Sequence, residues 1–197
     1  MYYVVYRASE EFKDRGRIPR RLRALGCRQV SRSFWEVEEG EADRVLGVLQ
    51  KNQPVLLKRV REIRRPRFLR EKVVGELGSL VVIAYKVPEE AQHEKISNFL
   101  KRAPCIRLCR SVYAFYQEHT RFDKDRELVD ARRFWDFIRE IDEDAAVIPR
   151  VVVVNSDSVE RLLKEAQERV EKEIDDIVAG YKSLCQKAGK GEIDEQY

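Results

Sequence analysis

The 197-residue sequence has no run of about 18 apolar residues, the length that a helix needs to cross a bilayer. Its first residues, MYYVVYRASEEF, lack the basic start, apolar middle and small-residue cleavage site of a secretory signal. We therefore expect a cytoplasmic protein with no membrane-spanning segment. The four cysteines should then be reduced thiols rather than disulfides.

The sequence also lacks the motifs that commonly hold cofactors or metals. Neither a G-x-x-x-x-G-K-S nor a G-x-G-x-x-G phosphate loop occurs, and no G-x-S-x-G elbow is present. Cys105 and Cys109 are too widely spaced for the C-x₂-C pair of a structural zinc site, and the residues that could complete a metal set with them are Cys27, Cys185, His93 and His119. We predict no catalytic residue, no metal site and no cofactor.

Charge is abundant but unevenly distributed. Charged residues make up 38% of the chain, against roughly 25% in an average domain, a composition typical of thermophilic surfaces rich in ion pairs. Residues 1–75 contain 19 Lys or Arg and 10 Asp or Glu, whereas the rest contain 20 and 25. A basic half joined to an acidic half indicates a polyanionic partner for the first half.

Two stretches of the first half carry most of this positive charge. Arginine suits phosphate because its planar guanidinium binds two oxygens at once, and acids are scarce here, with Glu62 and Glu71 alone in the second stretch. We predict contact with the backbone of DNA or RNA, a solvated charged surface being the alternative. The predicted nucleic-acid-binding residues are Arg15, Arg17, Arg20, Arg21, Arg23, Lys58, Arg59, Arg61, Arg64, Arg65, Arg67, Arg70 and Lys72.

The chain also repeats internally. A shift of 78 positions places YYVVYRA (2–8) on LVVIAYK (80–86), Cys27 on Cys105, and RSFW on RSVY. We infer a tandem duplication, although two unrelated segments of the same secondary structure can share part of this pattern. After an insertion in the second copy, the similarity resumes. There EADRVLGVLQ (41–50) is similar to DARRFWDFIR (130–139), and VLLKRV (55–60) to AVIPRV (146–151).

Each copy has the periodicity of a small α+β unit. The pattern predicts strand, helix, two strands, helix and strand, the β-α-β-β-α-β order of a ferredoxin-like domain with both helices on one face of an antiparallel sheet. We therefore predict two tandem ferredoxin-like domains and a long C-terminal helix. The predicted boundaries are 1–63 for the first, basic domain, 64–78 for a basic linker, 79–155 for the second domain and 156–187 for the helix.

The predicted C-terminal helix begins near Asp157, with Glu160 completing a capping box. Such a helix either docks on the sheets or forms a dimer seam, so a protein partner and a homodimer both remain open. One function hypothesis is accordingly a structural subunit that binds a protein through this helix. Its apolar stripe consists of Val159, Leu163, Ala166, Val170, Ile174, Ile177, Tyr181 and Leu184.

Aromatic residues recur on the predicted central strands. Phe34 and Trp35 lie on these strands in the first copy, and Tyr113 and Phe115 lie on them in the second. Exposed aromatics on such a sheet can stack on RNA bases. Alternate side chains of a strand point to opposite faces, so packing in a core is the favoured interpretation.

The strand VVY, the basic helix and RQVSRSFWEV (28–37) resemble the small ferredoxin-like CRISPR-associated protein of the spacer-integration complex. The segments VVIAYKVPEE and CIRLCRSVYAF are similar to the same module. Both are also similar to chromate-resistance regulators and to the C-terminal domain of phenylacetate-pathway repressors. The resemblance implies a pseudo-dimer in one chain, with a regulatory or CRISPR-related role.

The chain departs from that family at one position. An aspartate at the end of the family's first strand is associated with metal-dependent nuclease activity, and Arg7 and Tyr85 take its place here. Neither supplies the oxygen ligand that Mg²⁺ requires, so we expect a non-catalytic protein. The alternative is a nuclease with relocated acids, since Asp123, Asp125 and Glu127 form D-x-D-x-E in the insertion; solvated loop acids are the simpler interpretation.

Overall fold

The computed structural model of the protein describes residues 1–7, 16–70, 73–86, 90–117 and 130–189. The chain forms two units, residues 1–159 and residues 160–197. Within the described ranges the first unit contains a large antiparallel sheet, a small hairpin and four helices. The predicted α+β class and long C-terminal helix are confirmed.

The elements of the first unit follow the predicted order twice. The first copy consists of β1 (Tyr2–Val5), α1 (Arg17–Ala24), β2 (Arg28–Ser31), β3 (Phe34–Val37), α2 (Ala42–Leu49) and β4 (Val55–Arg59). Between the copies lie β5 (Arg67–Arg70) and β6 (Val73–Glu76). The second copy consists of β7 (Leu80–Ala84), α3 (Glu90–Lys101), β8 (Cys105–Cys109), β9 (Val112–Tyr116), α4 (Ala131–Ile141) and β10 (Ala146–Val153), and α5 (Ser156–Gly189) follows.

Eight strands form one sheet in the order β2-β3-β1-β4-β10-β7-β9-β8. Every neighbouring pair is antiparallel. Equivalent strands of the two copies lie at equal distances from the centre, where β4 pairs with β10. The two copies therefore share one continuous sheet, because the last strand of each is the partner of the other.

Strand register corrects the alignment of the two copies at β1. Val5 lies opposite Phe34 in the first copy, whereas Ala84 lies opposite Val112 in the second. Phe34 and Val112 are 78 positions apart, but Val5 and Ala84 are 79 apart, so the gapless shift of 78 is wrong for the first strand. Side chains alternate between faces with a period of two, and a slip of one residue would exchange the faces of the whole strand.

Each copy buries one face of its sheet under its own two helices. In the first copy the largest members of this core are Leu22, Trp35 and Leu49, and in the second they are Phe115, Phe134 and Ile138. Leu49 and Ile138 are the equivalent positions that the alignment of the second helices predicts. Repetition of apolar residues at helical spacing therefore positions both pairs of helices in the same way.

The opposite face of the sheet is buried as well. Val5, Phe34, Leu57 and Val82 are completely inaccessible there. The Arg7 side chain, just after β1, donates from Nε to the Leu108 carbonyl at 2.9 Å and from Nη2 to the Arg107 carbonyl at 2.6 Å. Since β1 and β8 are five positions apart, a flat sheet would separate them by about 24 Å. The sheet must therefore bend until the helix-free faces of its two halves meet.

The segment between the copies was predicted as a linker, and it contains secondary structure of its own. β5 and β6 form an antiparallel hairpin in which Arg67 lies opposite Glu76 and Phe68 opposite Val74. Two apolar pairs, Phe68-Leu69 and Val73-Val74, flank three charged residues in FLREKVV and carry a weak strand signal, which the high charge of the stretch obscures. Residues 64–78 are thus a basic arm with regular structure rather than a simple connection.

The C-terminal helix extends from Ser156 to Gly189, close to the predicted range of 156–187. Asn155, immediately before it, accepts a hydrogen bond at Oδ1 from the Leu56 amide at 2.9 Å. The Ser158 hydroxyl donates to the Pro54 carbonyl at 2.8 Å. Both contacts tie the first turn to the start of β4. None of the described helices has the length and apolar character needed to cross a membrane.

The contact of Arg7 with β8 generates a stability prediction. Replacing Arg7 by Met should lower the free energy of unfolding by about 1–3 kcal/mol, because two carbonyls lose a charged donor. The measurement is urea denaturation followed by circular dichroism. Lys86→Met is the matched control, since Lys86 is the equivalent residue of the second copy and makes only an exposed ion pair with Asp144. Equal effects of both substitutions would contradict the assigned role of Arg7.

Burial of the cysteines predicts their reactivity. Cys27, Cys105 and Cys109 are buried and Cys185 is exposed, and burial raises the pKa of the Cys109 thiol to about 12. Only the thiolate attacks a disulfide reagent, so one thiol per native chain should react with Ellman's reagent at mildly alkaline pH, and four after denaturation. Cys185→Ser should abolish the native reaction. Any fast-reacting thiol in that variant would show that the core is open.

Candidate nucleic-acid interface

The predicted basic residues fall into two groups in the structure. Arg17, Arg20, Arg21 and Arg23 lie on α1, and Lys58 and Arg59 end β4. Arg61, Arg64 and Arg65 lie in the segment that leads to β5, which contains Arg67 and Arg70. Arg15 and Lys72 lie outside the described residues, as does the side chain of Arg70.

The α1 group is outward-facing because the inward face of this helix is apolar. Ile18 and Leu22, four residues apart, are buried in the first core. The first turn of the helix contains no acidic residue. All four arginines of this group are exposed. Arg23 in addition donates to Gln29 at 2.8 Å, and its guanidinium lies 5.7 Å from the centre of the Trp35 ring.

Two predicted residues are compensated by neighbouring acids. The Lys58 ammonium lies 3.5 Å from Glu39 and 5.0 Å from the centre of the Tyr2 ring. The Tyr2 hydroxyl, and after it the Glu39 carboxylate, raise the pKa of Lys58. Arg67 lies 3.9 Å from Glu76 on the paired strand. These exposed pairs reduce the charge that either side chain offers to a phosphate.

The strongest uncompensated charge lies on residues 59–65, here named the central basic segment. Arg59, Arg61, Arg64 and Arg65 are all exposed. Among the residues that the structure describes, no carboxylate lies within 4.0 Å of these four guanidinium groups. Glu62 is the single acid of the segment. The segment therefore presents charge-assisted donors to solvent, which is what an anionic backbone requires.

Arg150 anchors the first part of this segment. The Arg150 carbonyl accepts a hydrogen bond from the Val60 amide at 2.8 Å. The Arg150 side chain donates from Nη1 to the Arg61 carbonyl at 3.1 Å. Its own amide donates to Gln117 Oε1 at 2.8 Å. Arg150 adopts a positive φ of 58° at the bulge between Ile148 and Val151. That unusual backbone turns the amide of Arg150 out of the ladder and onto Gln117.

Sequence reasoning missed Arg150 because it lies in the acidic half, inside an apolar strand. A signal was present nevertheless, since Pro149 precedes it and a proline within a strand marks an edge or a bulge. The alignment of VLLKRV with AVIPRV places Arg150 on Arg59, but the bulge shifts the register so that Val151 is the residue opposite Arg59. Arg150 lies next to this pair, where the two copies join.

Ser79 and Gly78 anchor the second part of the segment. The Ser79 amide donates to the Arg64 carbonyl, and the Arg64 amide donates to Ser79 Oγ, each at 2.8 Å. Gly78 has φ +75°, and a Cβ there would lie 2.8 Å from the Pro66 nitrogen and 2.9 Å from the Arg64 carbonyl oxygen. Only glycine fits this position. Backbone contacts thus position the segment and leave its arginine side chains available.

The aromatic residues of the central strands are not available for stacking on bases. Phe34 and Trp35 are inaccessible and Phe115 is 2% exposed. Tyr113 is partly exposed but stacks on Tyr85, with ring centres 6.3 Å apart. The packing interpretation is confirmed for these residues, and the candidate interface works by charge rather than by base stacking.

The site shows no arrangement for metal chemistry among the described residues. No group of three or more His, Cys, Asp or Glu side chains is placed to hold an ion there. Asp123, Asp125, Glu127 and His119 lie outside those residues. At the position where the resembled family has its aspartate, the corrected register pairs Arg7 with Lys86 rather than with Tyr85, which is the equivalent of Tyr6. Both copies thus carry a cation there.

Comparisons with known proteins add no further information on the site. No protein-family model, no curated protein and no solved structure matches the chain.

The Gly78 anchor generates a prediction. Gly78→Ala should lower the free energy of unfolding by more than about 1 kcal/mol, because an added Cβ meets backbone atoms and the left-handed conformation is strained. Gly47→Ala is the control: a Cβ there meets nothing within 4 Å in α2, and alanine should stabilise that helix by about 0.5–1 kcal/mol. Chemical denaturation of both variants checks the pair. A Gly78→Ala protein as stable as the parent would show that the anchor is loose.

Proposed function

We propose that the protein is a non-catalytic nucleic-acid-binding protein that contacts the sugar–phosphate backbone of DNA or RNA. The observation that carries the proposal is the central basic segment. It has four exposed arginines, no carboxylate within ion-pair distance among the described residues, and backbone anchors at both ends. Charged side chains that only interact with solvent would not need such anchoring of the backbone.

We also infer that the first unit consists of two ferredoxin-like domains fused into a pseudo-dimer. Each half has the strand order of that fold, with its fourth strand beside the first, then the third, then the second. The central pairing of β4 with β10 supports a pseudo-twofold arrangement, since it joins the same edge of each half. This interpretation agrees with the resemblance to the CRISPR-associated module and to the two groups of regulators.

Backbone contact without base readout is the mode of recognition that this surface supports. Arginine and phosphate interact through charge and geometry that are independent of sequence. The aromatic side chains that would read unstacked bases are buried, as is the helix-free face of the sheet that carries them in other RNA-binding proteins of this architecture. Affinity should therefore depend steeply on salt and weakly on sequence.

A second candidate function, binding of a protein through α5, is favoured by a separate observation. Six large apolar side chains between Val170 and Leu184 are exposed on this helix. The third candidate, a nuclease with relocated acids, stays a prediction because Asp123 and Asp125 lie outside the described residues. Magnesium-dependent cleavage that Asp125→Ala abolishes would establish the nuclease.

The binding proposal predicts the result of a salt titration. Fluorescence anisotropy with short duplex DNA, duplex RNA and single strands should show affinity that falls linearly with the logarithm of the salt concentration. Arg64→Glu/Arg65→Glu should weaken binding to every sequence and reduce the salt slope by about 2, because two phosphate contacts are lost.

The control variant is Lys95→Glu/Lys101→Glu. It makes the same change in net charge on α3, which is the counterpart of α1 in the second copy, and both lysines are exposed. We expect it to retain most of the affinity. Equal losses for the two variants would indicate a non-specific charge effect, and absence of binding at low salt to any of the nucleic acids would refute the proposed function.

A further inference from the structure

The C-terminal helix presents an unpartnered apolar seam, which consists of Val170, Ile174, Ile177, Tyr181 and Leu184. Its residues recur alternately four and three positions apart, the spacing of the core positions of a coiled coil. Their side chains are between 53% and 69% exposed. Val178 lies beside the seam and is 44% exposed. Soluble proteins rarely leave such a continuous apolar row uncovered.

Charge along the same helix indicates what covers the seam. Residues 160–176 contain seven acidic and four basic residues, whereas residues 177–190 contain three lysines and no acidic residue. A second copy of this helix in parallel would place the acidic stretch beside an identical acidic stretch. In the antiparallel direction the acidic stretch of each copy lies beside the lysines of the other, which is favourable.

We propose that the seam binds a second copy of this chain as a two-stranded antiparallel coiled coil. In a register that pairs four of its five residues, Ile174 faces Leu184 of the other copy and Ile177 faces Tyr181, while Val170 lies beyond the paired residues. Each contact occurs twice, once in each direction, so the two helices are related by a two-fold axis. Such an interface forms a closed dimer and does not extend into a chain of further copies. A foreign partner would have to supply a complementary apolar row, whereas a second copy has one by identity.

Two residues beside the axis support this register. Val178 would meet Val178 of the second copy on one flank of the seam, which explains an exposed valine next to the core row. Gly180 would meet Gly180 of the second copy on the other flank. Glycine weakens a helix interior, and a Cβ at Gly180 would touch nothing within 4 Å in the single chain. Its place at a close approach of two helices gives that glycine a role.

The dimer does not depend on nucleic-acid binding, and its consequence for binding is an increase in avidity. Two chains joined through α5 carry two central basic segments, and the second contact with one nucleic acid becomes intramolecular. Failure of the dimer and failure of nucleic-acid binding are therefore distinguishable, because the mass of the protein alone reports the first and anisotropy reports the second.

The first experiment measures the mass of the full-length protein by sedimentation equilibrium without nucleic acid. The parent chain should have twice the 23.3 kDa of one chain. Ile177→Glu/Tyr181→Glu should raise the dissociation constant by about 100-fold or more, because two charged side chains enter each apolar core. Ala179→Glu is the control: it adds a charge on the side of the helix away from the seam and should leave the dimer intact.

The second experiment determines the direction of the helices by cross-linking. In the antiparallel register, the two Val178 positions are adjacent. Each Cys185 instead lies opposite residue 173 of the other copy, so the two Cys185 residues are about 18 Å apart along the helix axis. Val178→Cys in a Cys185→Ser background should therefore form a disulfide-linked dimer on mild oxidation, and the native Cys185 should not. The two positions are seven residues apart and equivalent in a parallel coiled coil, where they would cross-link equally.

A monomeric parent protein at every concentration tested would overturn the proposal. So would a dimer whose mass the Ile177→Glu/Tyr181→Glu variant leaves unchanged, since the contact would then lie elsewhere. Equal cross-linking at positions 178 and 185 would overturn the antiparallel register. Circular dichroism of each variant confirms that its helix content is retained, so that a monomer is not the product of unfolding.

Discussion

The pairing of β4 with β10 is the contact on which the rest of the first unit depends. Leu57 lies opposite Val153 and Arg59 opposite Val151, and this short ladder converts two four-stranded sheets into one of eight strands. It removes one open strand edge from each half, which would otherwise be free to pair with other chains. It also brings Arg59 close to Arg150, whose carbonyl accepts from the Val60 amide.

Because the two halves of the sheet belong to one chain, they can differ, which the halves of a symmetric homodimer cannot do. Arg7 reaches across to β8, whereas its equivalent Lys86 donates to Asp142 and Asp144 within its own half. The exposed arginines of α1 have no matching row on α3. The bulge at Arg150 has no counterpart in β4. The two halves thus share an order of elements but differ in side-chain contacts, in the charge of the first helix and in the register of the last strand.

Burial of both faces of the sheet restricts where a polyanion can bind. The surface that other proteins of this architecture use for base stacking is occupied here by the packing of one half on the other. Under the proposed function, the charge on the connecting segment is therefore the main feature available for recognition. Backbone anchors at Arg150 and Ser79 hold that segment, so its arginines lose less conformational freedom when they bind than those of a loose linker would.

The sequence by itself determined the α+β class, the order of the elements and the C-terminal helix, because these depend on local periodicity. It also located the basic stretches, since charge is a property of composition. Residue type alone could not separate Lys58 and Arg67, which neighbouring acids compensate, from Arg64 and Arg65. Ion pairing depends on neighbours that are distant in the chain.

Only the tertiary structure decided the register of β1, the hairpin within the predicted linker, the role of Arg7 and the place of Arg150. An apolar run such as YYVV fits two alignments equally well when both faces of its strand are buried, so that alternation disappears. Arg7 and Leu108 are 101 positions apart, and Arg150 joins the candidate site only because β10 lies beside β4. Such contacts follow from how the sheet is assembled, and no local pattern encodes them.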